Sequence, residues 1–391
     1  MKKIKFVLYT VCISPHQLPF MRLIADSLPS GEYLYIYTDI LENGRKELGW
    51  AEEQESWLVY EKNSPEECRR WLEECDVLIS GIRDFDLFEK RIRNGKTTIY
   101  SSERWFKPVL LKGFSIPGVL KLLHPGYLKT VLRFRRLLRD ANNQFCYYPI
   151  SMNAARDAAL ICSGTSDIEF ERKPGGNVIS NWDEIWKNKL HLWGYFVESS
   201  KSDRKIQAEE RALLRSELIE GKRPLRILWV GRMLALKNVD RIIKAFRLAV
   251  AKNGTGEMTL TLVGDGPEKA KLVKMSNGLP VDFKPFVPIN EVRQIMREHD
   301  LYIFASNSFD GWGAVVSEAI EEGMMVLASR DSGAGATVLP EDCVFDCEDV
   351  KGLSERILNY SKLPLIDPEI WSVRSAADHI LKIFLLSGEK I

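Results

Sequence analysis

The stretch His299-Asp-Leu-Tyr-Ile-Phe-Ala-Ser-Asn-Ser-Phe-Asp310-Gly-Trp-Gly-Ala-Val-Val-Ser-Glu318-Ala-Ile-Glu-Glu-Gly323 decides the reading of this chain. The apolar run 301–305 predicts a short strand. A polar, glycine-rich loop follows and feeds a helix that starts near Ala314. In an open α/β sheet, ligands bind beyond the carboxyl ends of the strands. A helix start offers unpaired N–H groups and a positive dipole end, which suit a phosphate. Gly311 and Gly313 allow the backbone to come close to such a group. Asp310 before the helix and Glu318 inside it could each hold sugar or ribose hydroxyls. The stretch therefore suggests a nucleotide-sugar site.

The pattern occurs twice more upstream. Residues 226–230 read as a buried strand ending in Gly231-Arg232, and 259–263 as another ending in Gly264-Asp-Gly266-Pro267. After the first, Val239, Ile242, Ile243, Phe246 and Ala249 recur at helical spacing. In a parallel sheet all three strand ends lie along one edge. Arg232 and Lys237 stand in the loop after the first strand, where two cations could clamp a diphosphate.

These residues carry a resemblance. The run Gly231-Arg232-Met-Leu-Ala-Leu-Lys237-Asn-Val-Asp resembles the Gly-Arg…Lys-Gly segment of retaining glycosyltransferases of family 4 (glycosyl transferases group 1), which have the GT-B fold. Leu262-Val-Gly-Asp-Gly-Pro-Glu268 looks like that family's Gly-x-Gly-Pro-Glu turn. Asp310 and Glu318 have the spacing of its paired acids. The three segments stand in family order over about 100 residues.

The resemblance implies an α/β chain of two Rossmann-like, doubly wound domains facing a central cleft. It implies roles for single residues: Arg232 and Lys237 on the donor diphosphate, Glu318 on the ribose, Asp310 near the hydroxyls of the transferred sugar. Gly231, Gly264, Gly266 and the backbone of Gly311, Trp312, Gly313 and Ala314 would cradle the donor. Phe286 and Val287, after 282–286, match the stretch that reads the base. Asp310 stands where the family usually has Glu, and Asn238 where it more often has Gly. Trp312 has two readings, a platform stacked on the sugar or a buried anchor of its loop.

Length and composition agree with two domains. A chain of 391 residues exceeds what one core usually supports. The expected division is an acceptor-binding domain at 1–200, a connection at 201–222, a donor-binding domain at 223–365, and a helix at 366–391 crossing back onto the first domain. Strands are expected at 4–13, 33–38, 77–80, 97–101, 158–163 and 190–196, and helices at 19–28, 65–74, 207–219 and from Asp367 to about 385. The net charge of +1 excludes bulk electrostatic capture of nucleic acid. The seven cysteines show no Cys-x2-Cys spacing, which points to reduced thiols in a cytoplasmic compartment. The opening Met-Lys-Lys-Ile-Lys-Phe-Val-Leu-Tyr reads as a strand rather than a signal peptide, because Lys5 interrupts its apolar run. No run of about 20 apolar residues predicts a membrane span.

Two features of the first half bear on function. His16 follows the first strand, where it could bond a sugar or phosphate oxygen, or cap the first helix. Many members of the resembled family place a His after a middle strand of this domain. Here Glu103 or Arg104 stands in that position, with a structural salt bridge as the alternative. From Arg104 to Arg139 there are nine Lys or Arg and no Asp or Glu. Leucines and aromatics are interleaved, and three prolines divide the run into short helices. Such a surface suits an anionic membrane; the alternative is a solvated basic face whose leucines enter the core.

The expected activity is transfer of a hexose or N-acetylhexosamine from a nucleotide-diphosphate sugar, UDP before GDP. The expected acceptor is a glycan or lipid-linked glycan hydroxyl, plausibly in bacterial surface-polysaccharide assembly. No cofactor and no metal are expected, since cations fill the site and no Asp-x-Asp motif stands in a suitable place. A nucleotide-sugar epimerase and a non-catalytic nucleotide-sugar-binding relative are the other readings.

Overall fold

The computed structural model describes residues 3–39, 55–104, 124–164, 168–179, 189–197 and 204–385. The described residues up to Phe196, with those from Ile370 onward, form one compact unit; Val197–Glu369 form the other.

The first unit is built on β1 (Phe6–Thr10), β2 (Tyr33–Tyr37), β3 (Leu58–Tyr60), β4 (Val77–Ser80), β5 (Thr97–Ser102) and β6 (Phe145–Pro149). All pair in parallel, in the order β3-β2-β1-β4-β5-β6. A small antiparallel pair, β7 (Glu169–Phe170) and β8 (Val178–Ile179), stands apart. The central strands β1 and β4 are buried along their whole length, as strands covered on both faces are. Phe88, Tyr100, Phe134, Phe145 and Tyr147 form an aromatic cluster with ring centroids 5.0 to 6.3 Å apart. Each such ring contributes about 1.5–3 kcal/mol by its burial.

The second unit repeats the plan with β9 (Leu225–Val230), β10 (Met258–Val263), β11 (Val281–Lys284), β12 (Leu301–Phe304), β13 (Met325–Ser329) and β14 (Val344–Phe345). Their order, β11-β10-β9-β12-β13-β14, is again parallel throughout. In both sheets the chain winds outward one way from the first strand and then restarts on its other side. That reversal makes a switch point, between β1 and β4 in one unit and between β9 and β12 in the other.

Several expectations need correction. The run 158–163 is not a strand but the end of the helix Met152–Ser163. An apolar run of that length fits either element; here the ends decide. The Ser151 hydroxyl accepts from the Ala154 N–H, and Gly164 closes the helix in the left-handed region. Residues 190–196 form no strand; Leu190 and Trp193 make single bridges to Tyr147 and Ile150. The helix expected from Asp367 is interrupted. A short turn at Pro368–Trp371 stops at Ser372, whose side chain accepts from the Ser375 N–H and starts the helix Val373–Ile380.

The basic run is one helix, Pro125–Asp140, over its second part; 105–123 lie outside the described residues. Val131, Phe134, Leu137 and Leu138 are buried and Tyr127 packs against them, so most of its apolar residues belong to the core. Leu128 and Leu132 are 44% and 55% exposed on the opposite face. Arg133 and Arg136 pair with Asp86 and Glu89, acids brought in from outside the run. Among the described residues, no helix is long and apolar enough to cross a membrane, and no cysteine is in a disulfide.

Candidate functional site

The site forms at the switch point of the second sheet, where the loops after β9 and β12 leave neighbouring strands. Hydrogen bonds tie these loops on both sides of Lys237. The Asn307 N–H donates to the Leu236 carbonyl at 3.0 Å, and the Asn238 side chain to the Ala305 carbonyl at 2.9 Å. Between these two ties, the Lys237 ammonium donates to both Asp310 carboxylate oxygens, at 2.7 and 2.6 Å. It also lies 5.5 Å from the centre of the Phe304 ring. Arg232, in the same loop as Lys237, is exposed, and its side chain makes no hydrogen bond or ion pair among the described residues.

Asn238 explains one departure from the resembled pattern. Its φ is +51°, a left-handed conformation that asparagine tolerates second only to glycine, while its amide makes the tie to Ala305. Gly264 and Gly266 need their lack of a side chain for a reason other than ligand approach. A Cβ on Gly264 would stand 2.0 Å from the Gly231 carbonyl oxygen, and one on Gly266 2.6 Å from that of Met233. The loops after β9 and β10 thus pack backbone on backbone. Gly313 has φ +84°, and a Cβ there would enter the Phe304 ring at 2.6 Å.

Glu318 lies inside the helix Ala314–Glu321 and is 4% exposed, and its carboxylate accepts no hydrogen bond among the described residues. Burial pushes its carboxyl up to about 7, with Glu322 adding to the rise and Arg293 opposing it. No side chain caps the start of this helix; the Val316 N–H turns back to the Gly313 carbonyl, and those of Ala314 and Val315 make no hydrogen bond among the described residues, so they are open to an anion. The sequence reading missed Tyr302, in the middle of the decisive strand. Its hydroxyl is turned to the Val230 carbonyl. Burial raises the phenol well above its usual range, and Glu318 and Asp310 both push it further. Both acids therefore lie within electrostatic reach of one buried hydroxyl.

Trp312 takes the second of its two readings, the buried anchor. It is 1% exposed, and its indole N–H points to the Ser317 hydroxyl at 3.4 Å. The buried ring anchors its loop and offers no exposed face to a sugar. The loop is further held by the N–H groups of Gly333 and Ala334, which donate to the carbonyls of Gly311 and Trp312. Phe286 is 41% exposed just past β11, and Val287 is half-buried beside it.

The remaining candidates belong to the first unit, described by itself. His16 sits after β1 and does not cap the first helix, whose N-cap is Gln17. Its ring centroid is 6.1 Å from that of Tyr195, and burial lowers its pKa to about 4, so it is neutral at physiological pH. The Tyr195 hydroxyl bonds to Glu103. Arg104 forms a two-pronged ion pair with Asp157 at 2.6 and 2.9 Å, the structural alternative for that residue. Among the described residues, no group of three or more His, Cys, Asp or Glu is placed to hold a metal.

Residues 210–374 match the family Glycosyl transferases group 1. The chain is 29% identical over 155 residues to the sulfoquinovosyl transferase SQD2 of Arabidopsis thaliana, covering 40% of this chain and 28% of that one. It is 28% identical over 158 residues to the amylovoran biosynthesis glycosyltransferase AmsK of Erwinia amylovora, covering 38% of each. It is 30% identical over 131 residues to a GDP-mannose-dependent α-(1-6)-phosphatidylinositol dimannoside mannosyltransferase of Mycobacterium tuberculosis, covering 30% of this chain and 34% of that one. The chain thus spans only 28 to 38% of the length of these relatives. Two solved structures match nearly end to end. OtsA has a TM-score of 0.56 at 11% identity, with 99% of each chain covered. HepE of Anabaena in complex with UDP has 0.54 at 13% identity, with 98% of this chain and 100% of that one covered. At such identities these two establish the fold, two Rossmann-like α/β domains of the GT-B class.

Proposed function

We propose that this chain is a retaining, metal-independent glycosyltransferase. It moves a hexose or N-acetylhexosamine from a nucleotide-diphosphate sugar, UDP in preference to GDP, to a hydroxyl of a glycan or lipid-linked glycan. The observation that carries the proposal is the Lys237–Asp310 pair at the switch point of the second sheet. A cation for the diphosphate and a carboxylate for sugar hydroxyls already stand together there. Arg232 supplies a second cation, and Glu318 a buried carboxylate with unused acceptor capacity. The family match over 210–374 and the named transferases among the relatives support the same chemistry.

In this reading the acceptor hydroxyl attacks the anomeric carbon on the face from which the diphosphate leaves. The departing phosphate oxygen takes the hydroxyl proton. Arg232, Lys237 and the open N–H groups at the start of the helix Ala314–Glu321 offset the charge growing on the leaving group. Such pre-positioned groups contribute several kcal/mol, on the order of 3 per donor. His16, kept neutral by burial after β1, would orient a hydroxyl in the first unit.

A lipid-borne acceptor is favoured by the helix Pro125–Asp140. Leu128 and Leu132 are exposed on it beside Lys129 and Arg135, which make no ion pair among the described residues. That face suits an anionic bilayer, and with it a peripheral place on the inner side of the cytoplasmic membrane. The relative named for amylovoran biosynthesis supports a polysaccharide product. Sedimentation with anionic but not zwitterionic vesicles at physiological salt tests this part by itself.

The main test is release of nucleoside diphosphate from a panel of UDP-, GDP- and ADP-sugars, with and without EDTA and with a glycan acceptor screen. EDTA-resistant release from one donor, lost in Lys237→Ala, is the expected result. Conversion of the donor without release would replace the proposal with an epimerase.

A further inference from the structure

The Lys237–Asp310 pair has a consequence for which ligands the site can hold, given the donor site proposed above. Lys237 is not a free cation waiting for phosphate. Both Asp310 oxygens engage it at 2.6 and 2.7 Å, with the two side chains only 19% and 13% exposed. The loops carrying them are fastened by the Asn307–Leu236 and Asn238–Ala305 hydrogen bonds. The Asp310 loop is further closed by its own N–H to the Asn307 carbonyl at 3.1 Å. The pair is therefore built into the fold and is not a chance meeting of long surface side chains.

A diphosphate that takes Lys237 must take it from Asp310. The carboxylate then stands partly buried without its partner, which is unfavourable unless another donor replaces the ammonium. The hydroxyls of a bound sugar can do so. A nucleoside diphosphate without sugar brings no group to that place. We infer that Asp310 is a specificity-determining residue that favours the intact nucleotide sugar over the bare nucleoside diphosphate, by reclaiming Lys237 whenever no sugar hydroxyl occupies its carboxylate. After transfer, the same exchange weakens the hold on the product and speeds its departure. Arg232, which has no such internal partner among the described residues, grips the diphosphate alike in both states.

The test is calorimetric binding of bare UDP and GDP to the full chain, as wild type, Asp310→Asn, Lys237→Met and the double variant. Asp310→Asn keeps the shape of the side chain; equal melting temperatures confirm that it folds. The expected result is tighter binding of the bare diphosphate in Asp310→Asn, on the order of tenfold, the effect of removing one charged competitor. Its preference for the sugar conjugate over the bare diphosphate shrinks to match. In the Lys237→Met background the same Asp310 change gives little or no gain, because there is no cation to release. Two results would overturn the inference: a bare diphosphate bound no more tightly by Asp310→Asn, or an equal gain with Lys237 absent, which would mean simple repulsion by the carboxylate. Failure of both wild type and Asp310→Asn to bind either diphosphate would remove the donor site itself, and this inference with it.

Discussion

The Tyr148 hydroxyl and the His379 imidazole Nε2 meet at 2.6 Å, joining β6 to the helix Val373–Ile380 across 231 residues of chain. His379 also lies against Trp193, Phe384 and His191. Burial drives its pKa down to about 4, with His191 and Lys173 lowering it further. The C-terminal helix is thus fastened to the first unit by a neutral histidine in an aromatic setting.

Tyr148→Phe removes this bond and leaves the His379 nitrogen without its partner. The expected loss is about 1 kcal/mol of unfolding free energy, read by urea denaturation. The pH dependence has a definite sign. A histidine whose folded pKa is depressed stabilises fully above its ordinary range and loses that contribution as pH falls through the folded value. The contribution of His379 to stability should therefore decline from about pH 6.5 toward pH 4, and His379→Gln should remove that component, read as the difference from wild type across the window. An unchanged acid limb in His379→Gln would show that His379 is not buried neutral.

Strands with apolar cores and clear boundaries were legible in the sequence. Val77–Ser80 and the helix Pro65–Glu74 stand where the pattern put them, and β9, β10 and β12 differ by a residue at one end. What failed was apolar sequence without a period, as at 158–163, where a serine cap and a closing glycine chose helix. The site was legible as a set of residues and not as a set of contacts. Spacing marked Lys237 and Asp310, yet no rule of spacing says that they bond each other. Sequence leaves Trp312 between two readings because burial is a tertiary property. Tyr302 was hidden because a tyrosine inside a strand looks like core.

Gly264 and Gly256 give a paired test of the loop packing. Gly264→Ala forces a methyl to 2.0 Å from the Gly231 carbonyl at φ +133°. Backbone must move on both sides, at a cost of roughly 3 kcal/mol or more. Gly256 has open space around its Cβ position and no positive φ. Gly256→Ala should be neutral or stabilise by up to about 1 kcal/mol. Thermal denaturation of both variants checks the contrast; similar melting temperatures would contradict the backbone-on-backbone packing.

Trp312 should act on folding before it acts on binding. Trp312→Ala empties one of the largest buried side-chain positions, and the expected loss is about 3–5 kcal/mol. Trp312→Phe keeps most of the volume and loses the indole N–H, so its loss should be smaller. If the ring instead stacked on the donor sugar, Trp312→Ala would weaken nucleotide-sugar binding while leaving the unfolding midpoint in urea near that of the wild type.

Glu318 gives two pH effects of opposite sign. Burial raises its carboxyl from 4.5 to about 7. Between those values this carboxyl holds more proton in the folded chain than in the unfolded one, so its contribution to stability falls as pH rises through that window. The contribution is complete below about pH 4.5 and absent above about pH 7, and amounts to roughly 3 kcal/mol. Nucleotide-sugar binding should move the other way. Ribose hydroxyls donate to the ionised carboxylate and favour it, so affinity should rise as pH rises through about 7. A nucleotide sugar is the proper probe, because its diphosphate is a diester with no proton titrating there. Glu318→Gln should abolish both effects, removing this component from the denaturation series and the rise of affinity through about pH 7. A stability trend that vanishes while the binding trend persists would mean that the carboxylate is buried as described but does not hold the donor.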